Sequence, residues 1–137
     1  MKIVDQRSID PDTGDCFRAC LASLLEIPYE EAFDIIAARD GNFGWGTPFG
    51  AWLKSKGFSW EGNYSNEGKP LDPWELIKIS PGLNRLYIGW GYSPRFENVT
   101  HAVIVDGDIK IVHDPHPSRL GVKDGIWGVY LIERNTP

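Results

Sequence analysis

The order of apolar and polar residues changes along the chain from a helical period to an alternating one. Between residues 16 and 25, apolar residues recur at spacings of three and four, which predicts a helix with one buried stripe. The stripe comprises Phe17, Cys20, Leu21, Leu24 and Leu25. We expect the helix to begin at Cys16, with Asp15 or Thr13 as its N-cap.

Further elements are predicted on either side of this helix. Residues 1–4 (MKIV) are interpreted as a short opening strand. Pro28 suits the first turn of a second helix, PYEEAFDIIAARD, which Gly41 would close. A loop rich in glycine and aromatic residues (41–50) then leads into a third short helix over residues 49–57.

The second half of the chain has the pattern of a β-sheet. Residues 58–64 alternate and predict an edge strand, and residues 66–84 predict a loop with at most one helical turn. Strand-like runs follow at 85–92, 100–114 and 126–134. Helices followed by antiparallel strands predict an α+β fold, which we expect to form one domain over residues 1–137.

Composition and charge limit the classes of partner. With 42% hydrophobic and 24% charged residues, the chain is expected to be globular rather than disordered. Its net charge of -5 and lack of a basic run argue against nucleic acid as a partner. No apolar run approaches the roughly 20 residues that span a bilayer, and the N-terminus has no apolar signal-peptide core. We therefore expect a cytoplasmic protein that binds neither nucleic acid nor membrane.

Both cysteines, Cys16 and Cys20, lie in the first predicted helix. At a spacing of four, their Cβ atoms would be roughly 6 Å apart on a helix, whereas a disulfide requires about 3.8 Å. A disulfide is therefore rejected. A nucleophile, a metal site and a buried apolar role remain for Cys16, while Cys20 is expected to be a buried small residue on the stripe.

A predicted hairpin brings a histidine near a carboxylate. Two apolar runs flank the sequence DGD at residues 106–108, a strong turn signal. A turn centred on Gly107 and Asp108 would place His101 opposite Asp114, and one centred on residues 106–107 would make them diagonal neighbours. A three-residue loop would instead pair His101 with His113.

These residues together suggest a nucleophilic triad. A thiol at a helix N-terminus, next to an imidazole, is favoured to ionise to the nucleophilic thiolate. The base in turn needs a third group to fix its tautomer. We therefore predict that Cys16, His101 and Asp114 are catalytic, although a charge on Asp15 would oppose ionisation of the thiol unless it caps the helix.

The segments GDCFRACLASLL (14–25) and HAVIVDGDIKIVHDP (101–115) resemble the papain-like cysteine peptidase superfamily. The closest likeness is to bacteriocin-leader peptidase domains of peptide exporters and to small phage and bacterial proteins of similar layout. That resemblance implies a papain-like fold, with Cys16 as nucleophile, His101 as general base and Asp114 as the orienting carboxylate.

Two features depart from the family pattern. Phe17 follows the nucleophile, where the family usually has a small residue. The family also has a glutamine about six residues before the nucleophile, and its side chain donates to the oxyanion. Here the upstream glutamine is Gln6, ten residues before Cys16, so the resemblance implies that Gln6 is the oxyanion donor and that the loop between the two residues bulges. The backbone N–H of Cys16 could supply the other donor.

The sequence thus predicts a cysteine-dependent hydrolase of the peptidase or amidase type, acting on a peptide or protein through a thioester and without a cofactor. The alternatives are a non-catalytic papain-like binding or inhibitory module, and an acyltransferase or deamidase on the same triad. Cys16, Cys20, His113 and His116 could in principle bind zinc, but alternation turns His113 away from Asp114, so no metal site is predicted.

The tryptophans are interpreted as core and groove walls rather than as a carbohydrate- or base-stacking surface. The residues in question are Trp45, Trp60, Trp74, Trp90 and Trp127.

Overall fold

In the described part of the computed structural model, three α-helices precede a five-stranded antiparallel sheet, so the predicted α+β class is confirmed. The structure describes residues 1–10, 14–38, 46–66, 69–74 and 85–135. The helices are α1 (Cys16–Leu25), α2 (Ile35–Ala38) and α3 (Gly46–Ser55). No helix in this described part of the chain is both long and apolar enough to cross a membrane.

The sheet contains β1 (Phe58–Tyr64), β2 (Tyr87–Tyr92), β3 (Thr100–Val105), β4 (Ile111–His113) and β5 (Lys123–Arg134). Its strand order is β1-β5-β2-β3-β4, and every neighbouring pair is antiparallel. The predicted edge strand over 58–64 is confirmed as β1. The long strand β5 pairs with β1 on one side and with β2 on the other.

Helix α1 lies against β3 because its stripe is apolar along the whole length. All five residues of the predicted stripe are buried, and Leu21 and Leu24 are fully inaccessible. They share a core with α3 and with one face of the sheet, through Phe49, Ile88 and Ile104. A second cluster, which includes Val103, Val129 and Leu131, covers the opposite face. The N-terminal end of α1 is thereby fixed beside the start of β3.

Two predictions for the first half of the chain are wrong. Residues 1–4 form no strand; instead Val4 bonds through its backbone to the hydroxyl of Ser23 on α1. The second helix is interrupted, with a 3₁₀ turn at Tyr29–Glu31 separated from α2 by extended backbone at Ala32. The carboxylate of Asp34 accepts the N–H of Ile36 and starts a new helix there. Gly41, its expected end, lies outside the described residues.

The third helix begins earlier than predicted, at Gly46, and ends at Ser55. Gly57 follows it with a positive φ of 87°, a conformation that glycine adopts without steric cost. The predicted loop over 66–84 is described only at residues 66 and 69–74.

Candidate active site

Cys16 is the first residue of α1, and its thiol is partly exposed. The backbone N–H of Ala102, in β3, donates a hydrogen bond to its Sγ at 3.4 Å. This contact places the sulfur beside the start of β3, one residue after His101.

His101 is the second residue of β3 and is 4% exposed. Its Nε2 lies 2.7 Å from Oδ1 of Asp114, which follows β4 immediately. Because Nε2 is engaged by the carboxylate, Nδ1 is the ring nitrogen left for the thiol of Cys16. The three predicted catalytic residues therefore meet where α1, β3 and the end of β4 come together.

The loop after β4 holds the carboxylate of Asp114 in place. The N–H of His116 donates to Oδ1 at 2.9 Å, and the N–H of Gly121 donates to Oδ2 at 2.7 Å. Burial raises the pKa of Asp114, but the hydrogen bonds from His101, His116 and Gly121 outweigh it and lower the pKa below its usual value. Asp114 is therefore a charged partner for the imidazole at neutral pH.

Opposing effects also act on His101. Burial by itself lowers the pKa of the imidazole, whereas hydrogen bonds with Asp114 and Cys16 raise it, and the net result is a pKa of about 9. An imidazole with this pKa is protonated at neutral pH. Such a group stabilises a thiolate beside it and can later donate a proton.

The hairpin reaches this geometry in a register that differs from all three considered above. Asp106 and Lys110 flank a three-residue loop, and the third loop residue, Ile109, has a left-handed φ of 59°. The register then shifts within β4, so that His113 pairs with Ile104. Asp114 is thus not the cross-strand partner of His101 but reaches it from the segment beyond the last paired residue.

Cys20 differs from Cys16 in environment. It is fully buried among the apolar residues of α1, as predicted. Burial, followed by the nearby charges of Cys16 and Asp114, raises the pKa of its thiol well above the usual value. Cys20 therefore stays protonated and serves packing.

Asp15 occupies the N-cap position, as one of the two expected residues, but its side chain makes no cap hydrogen bond. Its carboxylate accepts the backbone N–H groups of Arg7 and Ser8 at 2.9 to 3.0 Å, and also the hydroxyl of Tyr29. The carboxylate thereby ties residues 7 and 8 to the start of α1. Thr13, the other expected cap, lies outside the described residues.

Gln6 is not positioned as an oxyanion donor. Its side-chain amide donates to the carbonyl of Ser8 at 2.7 Å, and its backbone N–H donates to that of Pro115 at 3.0 Å. Two cavities lie next to Cys16, and Gln6 is not among the described residues that line either of them.

The other two histidines contact different partners. His113 lies 3.2 Å from the carboxylate of Asp5, and Nδ1 of His116 accepts the N–H of Ser118. Among the described residues, no group of three or more histidine, cysteine, aspartate or glutamate side chains is arranged to hold a metal ion.

A cavity of about 670 Å³ opens beside Cys16 and His101. One side, here called the aromatic wall, consists of Tyr64, Trp90, Trp127 and Tyr130. The prediction that the tryptophans form core and groove walls therefore holds for Trp90 and Trp127, and for Trp60, which packs against the core. It is wrong for Trp74, which is 70% exposed, and Trp45 lies outside the described residues.

Sequence comparison adds no family assignment to this geometry. No protein-family model matches the chain, and no curated protein is significantly similar to it.

Proposed function

We propose that this chain is a papain-like cysteine hydrolase of the peptidase or amidase type. The observation that carries the proposal is the 2.7 Å bond between buried His101 and Asp114, made beside a thiol at the N-terminus of a helix. A histidine that serves only packing would not need a nucleophile beside it, and a thiol that serves only packing would not need an imidazole. The presence of both groups at the edge of an open cavity favours a catalytic role.

In the proposed reaction, the thiolate of Cys16 attacks the carbonyl carbon of an amide, and the carbonyl electrons move to oxygen. The protonated imidazole of His101 gives its Nδ1 proton to the departing amine as the carbon–nitrogen bond breaks, leaving a thioester. Neutral His101 then takes a proton from water, whose oxygen attacks the thioester. The carbon–sulfur bond breaks, releasing the acid and restoring the ion pair. Asp114 keeps the imidazole oriented throughout.

The N-terminus of α1 is the proposed source of oxyanion stabilisation. The first N–H groups of a helix have no partner within the helix, and that of Cys16 is adjacent to the sulfur. Gln6 would have to leave Ser8 to contribute, so the proposal assigns it no role.

A peptide or protein is the proposed substrate, because the cavity is open along one side of the nucleophile. The compartment proposed is the cytoplasm, where thiols such as Cys16 and Cys20 remain reduced.

The test is timed alkylation of the native protein with iodoacetamide at pH 6, followed by peptide mapping. Cys16 should react at least about tenfold faster than a free model thiol, and Cys20 should remain unlabelled. His101→Ala should abolish most of that advantage, and Cys20→Ala should preserve it as the matched control. If Cys16 reacts at the rate of a free thiol and that rate does not change in His101→Ala, the binding-module alternative would be favoured instead.

Products distinguish the remaining alternative. An activated Cys16 that releases a free acid and an amine from a peptide amide supports hydrolysis. Transfer of the acyl group to an added amine, or release of ammonia from a glutamine side chain, would indicate an acyltransferase or a deamidase.

A further inference from the structure

Two rings of the aromatic wall lie opposite glycines of the neighbouring strand. Trp90 pairs with Gly128 across strands β2 and β5, and a Cβ at residue 128 would lie only 1.9 Å from the indole. Tyr130 pairs with Gly62, where a Cβ would lie 3.5 Å from the phenol ring. The rings can therefore rest directly over the backbone of the neighbouring strand.

The rings of the wall also support one another. The centroids of Trp90 and Tyr130 lie 4.5 Å apart with their planes inclined by 30°. Trp127 meets Trp90 edge to face at 5.6 Å, and Tyr64 lies 6.5 Å from Trp90. Aromatic contacts of this kind fix ring positions, so the wall has a defined shape before any ligand arrives.

Beyond Cys16 and His101, which engage each other in the proposed reaction, the described residues that line the cavity offer no charged partner for a substrate side chain. No lysine, arginine, aspartate or glutamate is among the described residues that line it. Burial, and then the proximity of Tyr64, raises the pKa of Tyr130 to about 12, so that its phenol is neutral. Against the aromatic wall, whose residues carry no charge, an ionised side chain would lose hydration without gaining a charged partner, whereas a neutral ring would gain apolar contact and stacking.

Resting on the function proposed above, we infer that the aromatic wall selects a substrate residue with a neutral aromatic side chain next to the amide that Cys16 attacks. The wall and the nucleophile line the same cavity, which allows one substrate to place a ring on Trp90 and its carbonyl at Cys16. Tyr64 and Trp90 are specificity-determining residues in this arrangement.

Two electrophiles with the same reactive group test the inference. N-chloroacetyl-phenylalaninamide and N-chloroacetyl-lysinamide both alkylate a thiolate with loss of chloride and differ only in the side chain. The quantity measured is the labelling rate with the phenylalanine compound divided by the rate with the lysine compound. This ratio should be at least about tenfold higher for Cys16 than for free cysteine. A ratio equal to that of free cysteine would overturn the selectivity.

Variants identify the wall as the origin of the preference. Tyr64→Ala alters an exposed residue of an edge strand, and Trp90→Leu keeps an apolar side chain but removes the flat ring. Each variant should reduce the ratio for Cys16 to within about threefold of the ratio for free cysteine. Trp74→Ala, an exposed tryptophan outside the cavity, is the matched control and should leave the ratio unchanged. An unchanged ratio in both wall variants would also overturn the inference.

A binding measurement separates this inference from the proposed chemistry. In Cys16→Ser, N-acetyl-phenylalaninamide should shift the indole NMR signals of Trp90 and Trp127, and N-acetyl-lysinamide should not. If the wild-type thiol reacts no faster than a free thiol, the proposed role of Cys16 as nucleophile is refuted. The NMR titration would still test whether the cavity prefers an aromatic side chain. Equal shifts with both amides, or none with either, would refute the selectivity alone.

Discussion

His101 and Asp114 are hydrogen-bonded at 2.7 Å although they are not paired in the sheet. The last pair between β3 and β4 joins Ile104 to His113, and the chain then turns so that the next residue reaches back toward the start of β3. Backbone N–H groups from His116 and Gly121 hold the carboxylate in that position. The loop after β4 is thus as important to the geometry as the hairpin itself.

The first prediction concerns the protonation of His101. Asp114→Asn removes the charge that opposes burial, so the pKa of His101 should fall well below its wild-type value of about 9. Cys16→Ser should also lower it, because a serine hydroxyl does not ionise and cannot supply the negative charge of a thiolate beside the imidazole. Titration of the imidazole Cε1–H signal by NMR measures both effects, with Trp74→Ala as an unaffected surface control. A His101 pKa unaltered by Asp114→Asn would contradict the assigned electrostatics.

The second prediction is a pH window for stability. The pKa of His101 is raised on folding from 6.5 to about 9, so its contribution is complete below pH 6.5 and is lost as the pH rises through 9. The pKa of Asp114 is lowered from 3.8, so its contribution is present above that pH and is lost as the pH falls below it. The free energy of unfolding of the wild type should therefore exceed that of His101→Gln by the largest margin between about pH 4 and 6.5.

Urea unfolding of both proteins from pH 3 to 10 measures this difference. The gap should narrow between pH 6.5 and 9, and again on the acid side below pH 4. A gap that widens as the pH rises from 6.5 would mean that the imidazole is neutral in the folded protein.

The sequence predicted that Cys16, His101 and Asp114 lie close together but not the path of the chain that joins them. The apolar stripe predicted helix α1 and hence the position of Cys16 at its start. The alternation over residues 100–105 predicted the strand that carries His101. The hairpin register could not be predicted, since the left-handed loop position is occupied by Ile109 rather than by the expected glycine or asparagine. The bulge that follows leaves no distinctive residue pattern either.

Asp15 is the expected N-cap residue, but the partners of its carboxylate differ from those that local patterns predict. A carboxylate before a helix is normally a cap, and local rules assign it to the nearest free N–H groups. Here it instead binds residues 7 and 8, which are eight and seven positions away, and the hydroxyl of Tyr29. Long-range partners of this kind are decided by tertiary packing and are not visible in local sequence patterns.

The third prediction follows from those contacts. Asp15→Ala would leave the N–H groups of Arg7 and Ser8 and the Tyr29 hydroxyl without their acceptor, at a cost of about 2–4 kcal/mol in the free energy of unfolding. Tyr29→Phe, which removes one of these bonds only, should cost about 1 kcal/mol. Urea denaturation of the two single variants and the double variant measures the coupling. Additive losses would show that the hydroxyl and the carboxylate do not stabilise each other.

The fourth prediction compares two glycines that lie opposite aromatic rings. At Gly128 an added Cβ would fall 1.9 Å from Trp90, a distance that requires the indole or the strand to move. At Gly62 the nearest atom of Tyr130 would be 3.5 Å away, which is an ordinary contact. Gly128→Ala should therefore destabilise the protein by about 1–3 kcal/mol through overpacking. Gly62→Ala, with the same chemical change on the neighbouring pair of strands, should be within about 1 kcal/mol of wild type.

Thermal and urea unfolding give the stabilities of the two glycine variants, and near-ultraviolet circular dichroism reports whether the indole of Trp90 has moved. Equal effects of the two substitutions would show that Trp90 does not rest on Gly128, and would remove the structural basis for a preformed aromatic wall beside Cys16.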